Sequence, residues 1–220
     1  RIVEKSLRES GAIDTEALCV LTGRKVWALK VLLHVLDHGG ALLDACSVAV
    51  LCGLLSFRHP DVTVGGDSGQ EVIVHPPHVK EPIPLNVHHL PLAVSFAFFE
   101  DDGELVVVDP SLKEEAAMRG SLTVVLNPQG ELCALQKAGG VATSTAQIMR
   151  CMRIAQAKVE ERANQMKAML SEYEVVRVKR RVRRKRPQEE NPSKASGDPG
   201  TDEQMQESSE DESSEEDMEE

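Results

Sequence analysis

The sequence predicts an α+β domain followed by a charged tail, and three patterns predict it. Residues 25–56 read as an alternating stretch from Lys25 to Asp37, a Gly39-Gly40 turn, and an apolar run rich in helix formers from Leu42 to Ser56. Two pairs of short β-type runs meet across turn signals at Asp101-Asp102-Gly103 and Asn127-Pro128-Gln129-Gly130. A long helical pattern then closes the folded part. Strands, a buried helix, hairpins and a closing helix make helices packed against mixed sheet.

In chain order, Arg1 to Ser10 reads as an amphipathic helix: Ile2, Val3 and Leu7 share one face, charges hold the other, and Gly11 supplies the stop. The chain starts at Arg1 with this helix already running, which predicts a domain lacking its N-terminal part. The alternation of residues 25–37 predicts a strand, and Leu42 to Ser56 a buried helix with Asp44 as its N-cap. Arg58-His59-Pro60-Asp61 breaks the pattern. Val62 to Val64 and Glu71 to Val74 are short strands around the turn from Gly65 to Gly69, and Pro76 to Pro91 is an irregular surface crossing.

Leu92 to Phe99 is a strand with a nearly continuous apolar face, paired with Glu104 to Asp109; Ser111 to Met118 is a short helix after Pro110. Ser121 to Leu126 pairs with Glu131 to Gln136. Thr143-Ser144-Thr145 caps the last helix, in which Ile148, Met152, Ala155, Val159 and Ala163 recur at helical spacing. Arg150, Arg153, Lys158, Glu160, Glu161 and Arg162 fall off that stripe and read as its solvated side.

Hydrophobic residues make up 41% of the chain but aromatics only 3%, so Leu, Val and Ala must fill the core. Five cysteines in no Cys-x-x-Cys spacing read as free buried thiols of a reducing compartment. The seven histidines match no metal-ligand spacing, and no Gly-x-x-x-x-Gly-Lys-Ser loop or Gly-x-Ser-x-Gly elbow occurs. The expectation is no cofactor and no metal. No apolar run is long enough to span a bilayer, so no membrane partner is expected.

The net charge of -11 hides three regimes. Residues 1–174, the expected domain, hold 16 basic and 22 acidic side chains. Residues 175–186 add eight cations: Arg177, Lys179, Arg180, Arg181, Arg183, Arg184, Lys185 and Arg186. Residues 187–220 set one lysine against 14 acids, with almost nothing to bury, and should be disordered. Ser208, Ser209, Ser213 and Ser214 stand before acids, a pattern acidophilic kinases accept. The basic run, Lys179 to Arg186 above all, reads as a nuclear-import signal, as an RNA-phosphate contact centred on Arg180, Arg181, Arg183 and Arg184, or as a solvated helix extension.

The block from Gly11-Ala12-Ile13-Asp14 through Trp27, Gly39-Gly40 and Asp44 to Phe57-Arg58-His59-Pro60-Asp61 resembles the RNase PH family, and more narrowly its non-catalytic members in the eukaryotic RNA exosome. The resemblance runs from residue 1 to about residue 170. It implies the fold of ribosomal protein S5 domain 2, with several strands preceding the first helix.

It also implies where chemistry would sit. Phosphorolysis needs a cationic cradle for phosphate and carboxylates to place Mg²⁺. In active members of the family, Thr or Ser followed by Arg precedes the buried helix, and that Arg holds phosphate. Here the turn reads Gly39-Gly40-Ala41-Leu42-Leu43-Asp44, with no cation and with an anion at Asp44. Asp109, Glu114 and Glu115 lie where the family keeps its first metal-binding acid, but Arg119-Gly120-Ser121 stands where the second would be. Leu43, Asp44, Asp109 and Glu115 are thus the degenerate remnant of a family site, and the chain is not expected to be an enzyme.

The expected role is a ring subunit partnered by other RNase PH-like exosome subunits, S1/KH cap subunits and single-stranded RNA. Location would be nucleus and nucleolus, and also cytoplasm. Arg24, Lys25, Arg58 and Lys80 are candidate RNA contacts in the folded part. The competing reading is an active phosphorolytic 3′-exoribonuclease that uses Asp109 and Glu115 with a phosphate site borrowed from its partner.

Overall fold

The computed structural model describes residues 1–65, 71–99, 105–140 and 142–185. The helix α1 (Ile2–Glu9) buries Ile2, Ser6 and Leu7. It ends as Gly11 demands: with φ at 65°, the Gly11 amide donates to Arg8 O and the Ala12 amide to Leu7 O, closing a Schellman motif. A small hairpin follows, β1 (Cys19–Leu21) with β2 (Lys25–Val26), turning at Thr22-Gly23.

The strand expected over residues 25–37 is not formed beyond Val26, and residues 27–39 take no regular structure. Alternation alone cannot make a strand, because its amides and carbonyls need a hydrogen-bonded neighbour. Among the described residues only its ends are held, by the Trp27 amide on Leu18 O and the Leu112 amide on Gly39 O, and Val31, Leu32, Val35 and Leu36 stand exposed.

Helix α2 (Leu42–Ser56) has the expected bounds. Two minor pairings follow: β3 (Arg58–His59) with β6 (Ile83–Pro84), and β4 (Val62–Gly65) with β5 (Glu71–Val74). The turn expected from Gly65 to Gly69 lies outside the described residues after Gly65, as does the Asp101-Asp102-Gly103 turn.

The main sheet has four antiparallel strands in the order β10-β9-β7-β8, built from β7 (Leu92–Phe98), β8 (Val106–Val108), β9 (Gly120–Leu126) and β10 (Leu132–Gly139). Helix α3 (Leu112–Ala117) lies between β8 and β9 in sequence. Central β7 is buried along its whole length, which its almost unbroken apolar run requires. Side chains alternate across the pleat. Leu92, Val94, Phe96 and Phe98 join Leu122, Val124 and Leu126 in the main core with Val50, Leu51 and Leu54 of α2. In the opposite phase, Ala93 and Val125 pack with Ile2 of α1.

Helix α4 (Thr145–Lys185) opens on a reciprocal cap, with the Gln147 amide donating to Ser144 Oγ and the Ser144 amide to Gln147 Oε1. Its buried stripe is Cys151, Ala155, Val159, Ala163 and Met166. It packs against α2, β7 and β9 and runs unbroken through residues 174–175. No helix among the described residues is long and apolar enough to cross a membrane.

Candidate functional site at the open edge of β7

β8 is only three residues long and pairs with Phe96 to Phe98 of β7. The other half of that β7 edge, at Ala93 and Ser95, would leave buried backbone groups without partners, a cost of about 1–3 kcal/mol each. Side chains from α2 and α4, with the backbone amide that follows β8, supply them. The Ala93 amide donates to Ser47 Oγ at 3.1 Å and the Ser95 amide to Asp44 Oδ2 at 3.2 Å. The Ala93 carbonyl accepts from Arg162 Nη1 at 3.0 Å, and the Ser95 carbonyl from the Asp109 amide at 3.0 Å.

Asp44 is the centre of this arrangement. It is 4% exposed, accepts from Ser95 Oγ at 2.7 Å, and pairs with Arg162 Nη1 at 2.9 Å. It is not the N-cap of α2 that the sequence suggests. Ala41 holds that position in the left-handed region (φ 43°), and Asp44, third in the first turn, points into the β7 edge instead. Burial pushes the Asp44 carboxyl up, while Arg162 and Ser95 pull it back without cancelling the shift.

The turn before α2 is tied to the start of α3. Gly40 bridges Ser111, the Leu112 amide donates to Gly39 O at 2.8 Å, and Glu115 Oε1 accepts the Ala41 amide at 2.9 Å. A Cβ on Gly40 would lie 2.2 Å from Pro110 O, so no other residue fits. Glu115 Oε2 stands 3.7 Å from His38 Nε2. Glu114 turns back to accept the Ser111 amide at 2.7 Å, which holds its carboxyl below the ordinary range. His38, Ala41, Leu43, Ser95, Glu115 and Thr123 line a cleft of about 140 Å³ between these parts.

The predicted remnant residues therefore converge, but each has a structural occupation. Leu43 packs with Ile2, Ala93 and Val125. Asp44 and Glu115 hold backbone amides. Asp109, at φ 57°, is the outward one, with its side chain 62% exposed and its carboxylate 3.9 Å from Arg162 Nη2. Arg162 was the residue that sequence reasoning placed on the solvated side of α4; its signal was only its place beside Ala163 on the buried stripe. Ser47 and Ser95 were visible as lone polar residues within apolar runs. Among the described residues, no three of His, Cys, Asp and Glu gather in a way that could hold a metal ion. A phosphate entering the cleft would meet Glu115 beside His38, Ser95 and Thr123, and the guanidinium of Arg162 is already committed to Asp44.

The RNA candidates scatter. Arg58 donates to Leu55 O and Phe57 O and pairs with Glu174 at 3.4 Å, so it is a structural cation. Lys80 pairs with Asp61 at 2.9 Å. Arg24 and Lys25 are exposed on the β1–β2 hairpin. Lys179 and Arg180 are exposed on α4, and Arg181 pairs with Glu81. The backbone of Arg183, Arg184 and Lys185 continues the helix, while their side chains lie outside the described residues. So do Arg186, the expected disordered tail and Ser208, Ser209, Ser213 and Ser214.

Comparison with known proteins gives the setting of this site. Residues 1–60 match the model of the 3′ exoribonuclease family, domain 1, and residues 89–158 that of domain 2. Exosome complex component RRP45A of Arabidopsis thaliana is 45% identical over 184 residues, which is 84% of this chain and 60% of that protein. Exosome complex component RRP45 of Homo sapiens is 45% identical over 161 residues, covering 73% of this chain and 36% of that protein. The chain thus spans between about a third and three fifths of these relatives' length. A solved archaeal exosome core superposes with a TM-score of 0.62 at 26% identity, over 76% of this chain and 61% of that one. An Archaeoglobus fulgidus exosome with RNA bound to the active site gives a TM-score of 0.59 at 24% identity over 75% of this chain and 59% of that one, a likeness of fold alone.

Proposed function

Because the chain belongs to the 3′ exoribonuclease family, both of whose domains it matches in order, we propose that it is a non-catalytic ring subunit of an RNA exosome. It would be of the RRP45 kind named in its relatives, also called exosome component 9. The observation that carries this reading is the occupation of the site. The acid at the α2 start is held by Ser95 and Arg162, and the acid on α3 holds the Ala41 amide. A catalytic phosphorolase needs a cation in the turn before this helix and an acid free to ligate Mg²⁺.

The role is scaffolding: supporting 3′-to-5′ RNA processing and turnover, rRNA maturation included, by closing a ring through which single-stranded RNA is threaded. Partners would be other RNase PH-like subunits and S1/KH cap subunits. Contacts with RNA would run through phosphates, with little base readout. The run from Lys179 to Arg186 would serve nuclear and nucleolar import of a protein also present in cytoplasm.

Affinity purification of the tagged chain from its own cells tests the assembly. Near-equal recovery of RNase PH-like and S1/KH subunits supports the reading, and their absence overturns it. Catalysis is tested on the reconstituted complex. Phosphate-dependent release of nucleoside diphosphates that disappears with Asp109→Ala would replace the scaffold by the shared-site exoribonuclease.

A further inference from the structure

The far half of α4 carries an apolar stripe that the body of the protein does not cover. Val175, Val178 and Val182 are 53%, 52% and 57% exposed. Their spacing of three and four residues puts them on one line of the helix, with Ser171 one step earlier, at the period of a two-helix seam. The helix meets the body elsewhere. Leu170 packs on the core, Glu174 pairs with Arg58 at 3.4 Å, and Arg181 pairs with Glu81. At 3.6 residues per turn these three lie roughly a quarter turn from the valines, which leaves the stripe open to a partner. Valine is stiff in a helix, so holding the stripe against a partner costs little rotamer freedom.

The charges beside the stripe are arranged to match themselves. On one flank Glu172 and Lys179 are exposed, and neither has an ion-pair partner among the described residues. They stand seven residues apart, roughly 10 Å along one helix, too far to pair with each other. The other flank repeats the order with Glu174 and Arg181, again seven apart. An acid followed one heptad later by a base meets its opposite when two such helices run antiparallel.

We propose that the Val175–Val178–Val182 stripe of α4 pairs antiparallel with the same stripe of a second copy of this chain. Val175 of each copy then lies against Val178 of the other, and Ser171 against Val182. Glu172 comes beside the other copy's Lys179 and Glu174 beside its Arg181, each twice by the two-fold symmetry. A parallel pair would instead bring the Lys179-Arg180-Arg181 clusters of both copies together, so charge selects the antiparallel one. An RNA strand would use the cations but has no use for the valines. The contact runs over residues 171–182, roughly 17 Å of helix. It therefore buries less than the about 800 Å² per partner of a stable interface, and the dimer is weak and exchanging. Nothing in it draws on the proposed ring role.

Sedimentation equilibrium of the full chain from about 5 to about 500 µM tests the pairing. Monomer at the low end and at least half dimer at the high end are expected. Glu172→Lys and Lys179→Glu should each weaken association at least about fivefold, because each turns two attractions per dimer into repulsions. The chain carrying both changes should regain the original affinity. Val178→Glu, at an exposed position, should abolish association while circular dichroism keeps its helical signal. A monomer at every concentration overturns the proposal. So does association that ignores these variants, which would belong to another surface, the exposed residues 31–36 first. A monomer that binds fluorescent oligouridylate more weakly after Val178→Glu would give the stripe to RNA and equally overturn the pairing.

Discussion

Asp44 and Arg162, 118 residues apart in sequence, meet at 2.9 Å over the open edge of β7. Together they bind the Ser95 amide and the Ala93 carbonyl, two of the three groups on that edge that a longer β8 would have taken, Ser47 holding the third. The pair therefore does the work of a missing strand segment and fixes α4 to the sheet through α2.

Its coupling should be large. Removing one partner of a buried pair leaves a charge without compensation, which costs about 3–5 kcal/mol. Asp44→Ala also strips the Ser95 amide and hydroxyl of their acceptor. Arg162 is 23% exposed, so Arg162→Ala should sit at the lower end of that range. Urea unfolding of both single variants and the double variant should give a coupling of about 1–3 kcal/mol. Additive losses would mean the two side chains act separately.

Burial raises the Asp44 carboxyl above its ordinary value in the folded chain. The folded state then binds a proton more readily than the unfolded one between the two pKa values, so this group's contribution falls as pH rises through that window. Asp44→Asn removes the titration. The stability of the unaltered chain relative to Asp44→Asn should therefore increase as pH is lowered toward about 4, the unfolded Asp value, and stay level below it. Asp14, Asp61 and Glu114 have lowered carboxyls, so their contribution is lost in acid in both chains and cancels in the difference. A difference that shrinks on acidification would reverse the sign assigned to burial.

The elements legible in the sequence are those that local pattern decides. The α2 bounds, the β9–β10 hairpin and the Ser144 cap of α4 each rest on spacing within a few residues. Residues 25–37 alternate like a strand, yet that pattern reports a preference for extension and not the presence of a neighbour. The β1–β2 hairpin escaped notice because Leu21-Thr22-Gly23-Arg24 lies between very short runs. In the site, that the turn from Gly39 to Asp44 carries no cation can be read directly off the residues. What holds Asp44 cannot, since it comes from Ser95 and from Arg162, and no local spacing encodes that meeting.

Gly40→Ala tests the joint between the turn and α3. The added methyl would approach Pro110 O and the Ser111 backbone at 2.2–2.7 Å, and the backbone sits at φ 119°. Neither neighbour is a flexible side-chain end, so the turn must leave α3 and the Ala41 amide its Glu115 partner. Strain and the lost hydrogen bonds predict a loss of about 3 kcal/mol or more. Gly23→Ala, at φ 73° with open space around it, should cost only about 1 kcal/mol. Equal losses in thermal or urea unfolding would remove the steric argument.

The far end of α4 should respond to charge in a way the rest of the helix does not. Apolar packing ends near Leu170, and Glu174 then anchors the helix to Arg58 of β3, while Arg181 reaches Glu81 in the proline-punctuated crossing. These pairs are partly solvated, so Glu174→Ala should change global stability by less than about 1 kcal/mol. Local opening is another matter, because the amides of residues 171–182 have little else to hold them down. Hydrogen exchange there should quicken severalfold in Glu174→Ala, and 500 mM salt should produce the same change in the unaltered chain. Amides at 151–163, on the buried stripe, should be unmoved in both experiments. Protection that falls along the whole helix would show that α4 opens as one unit and that the ionic joint does not divide it.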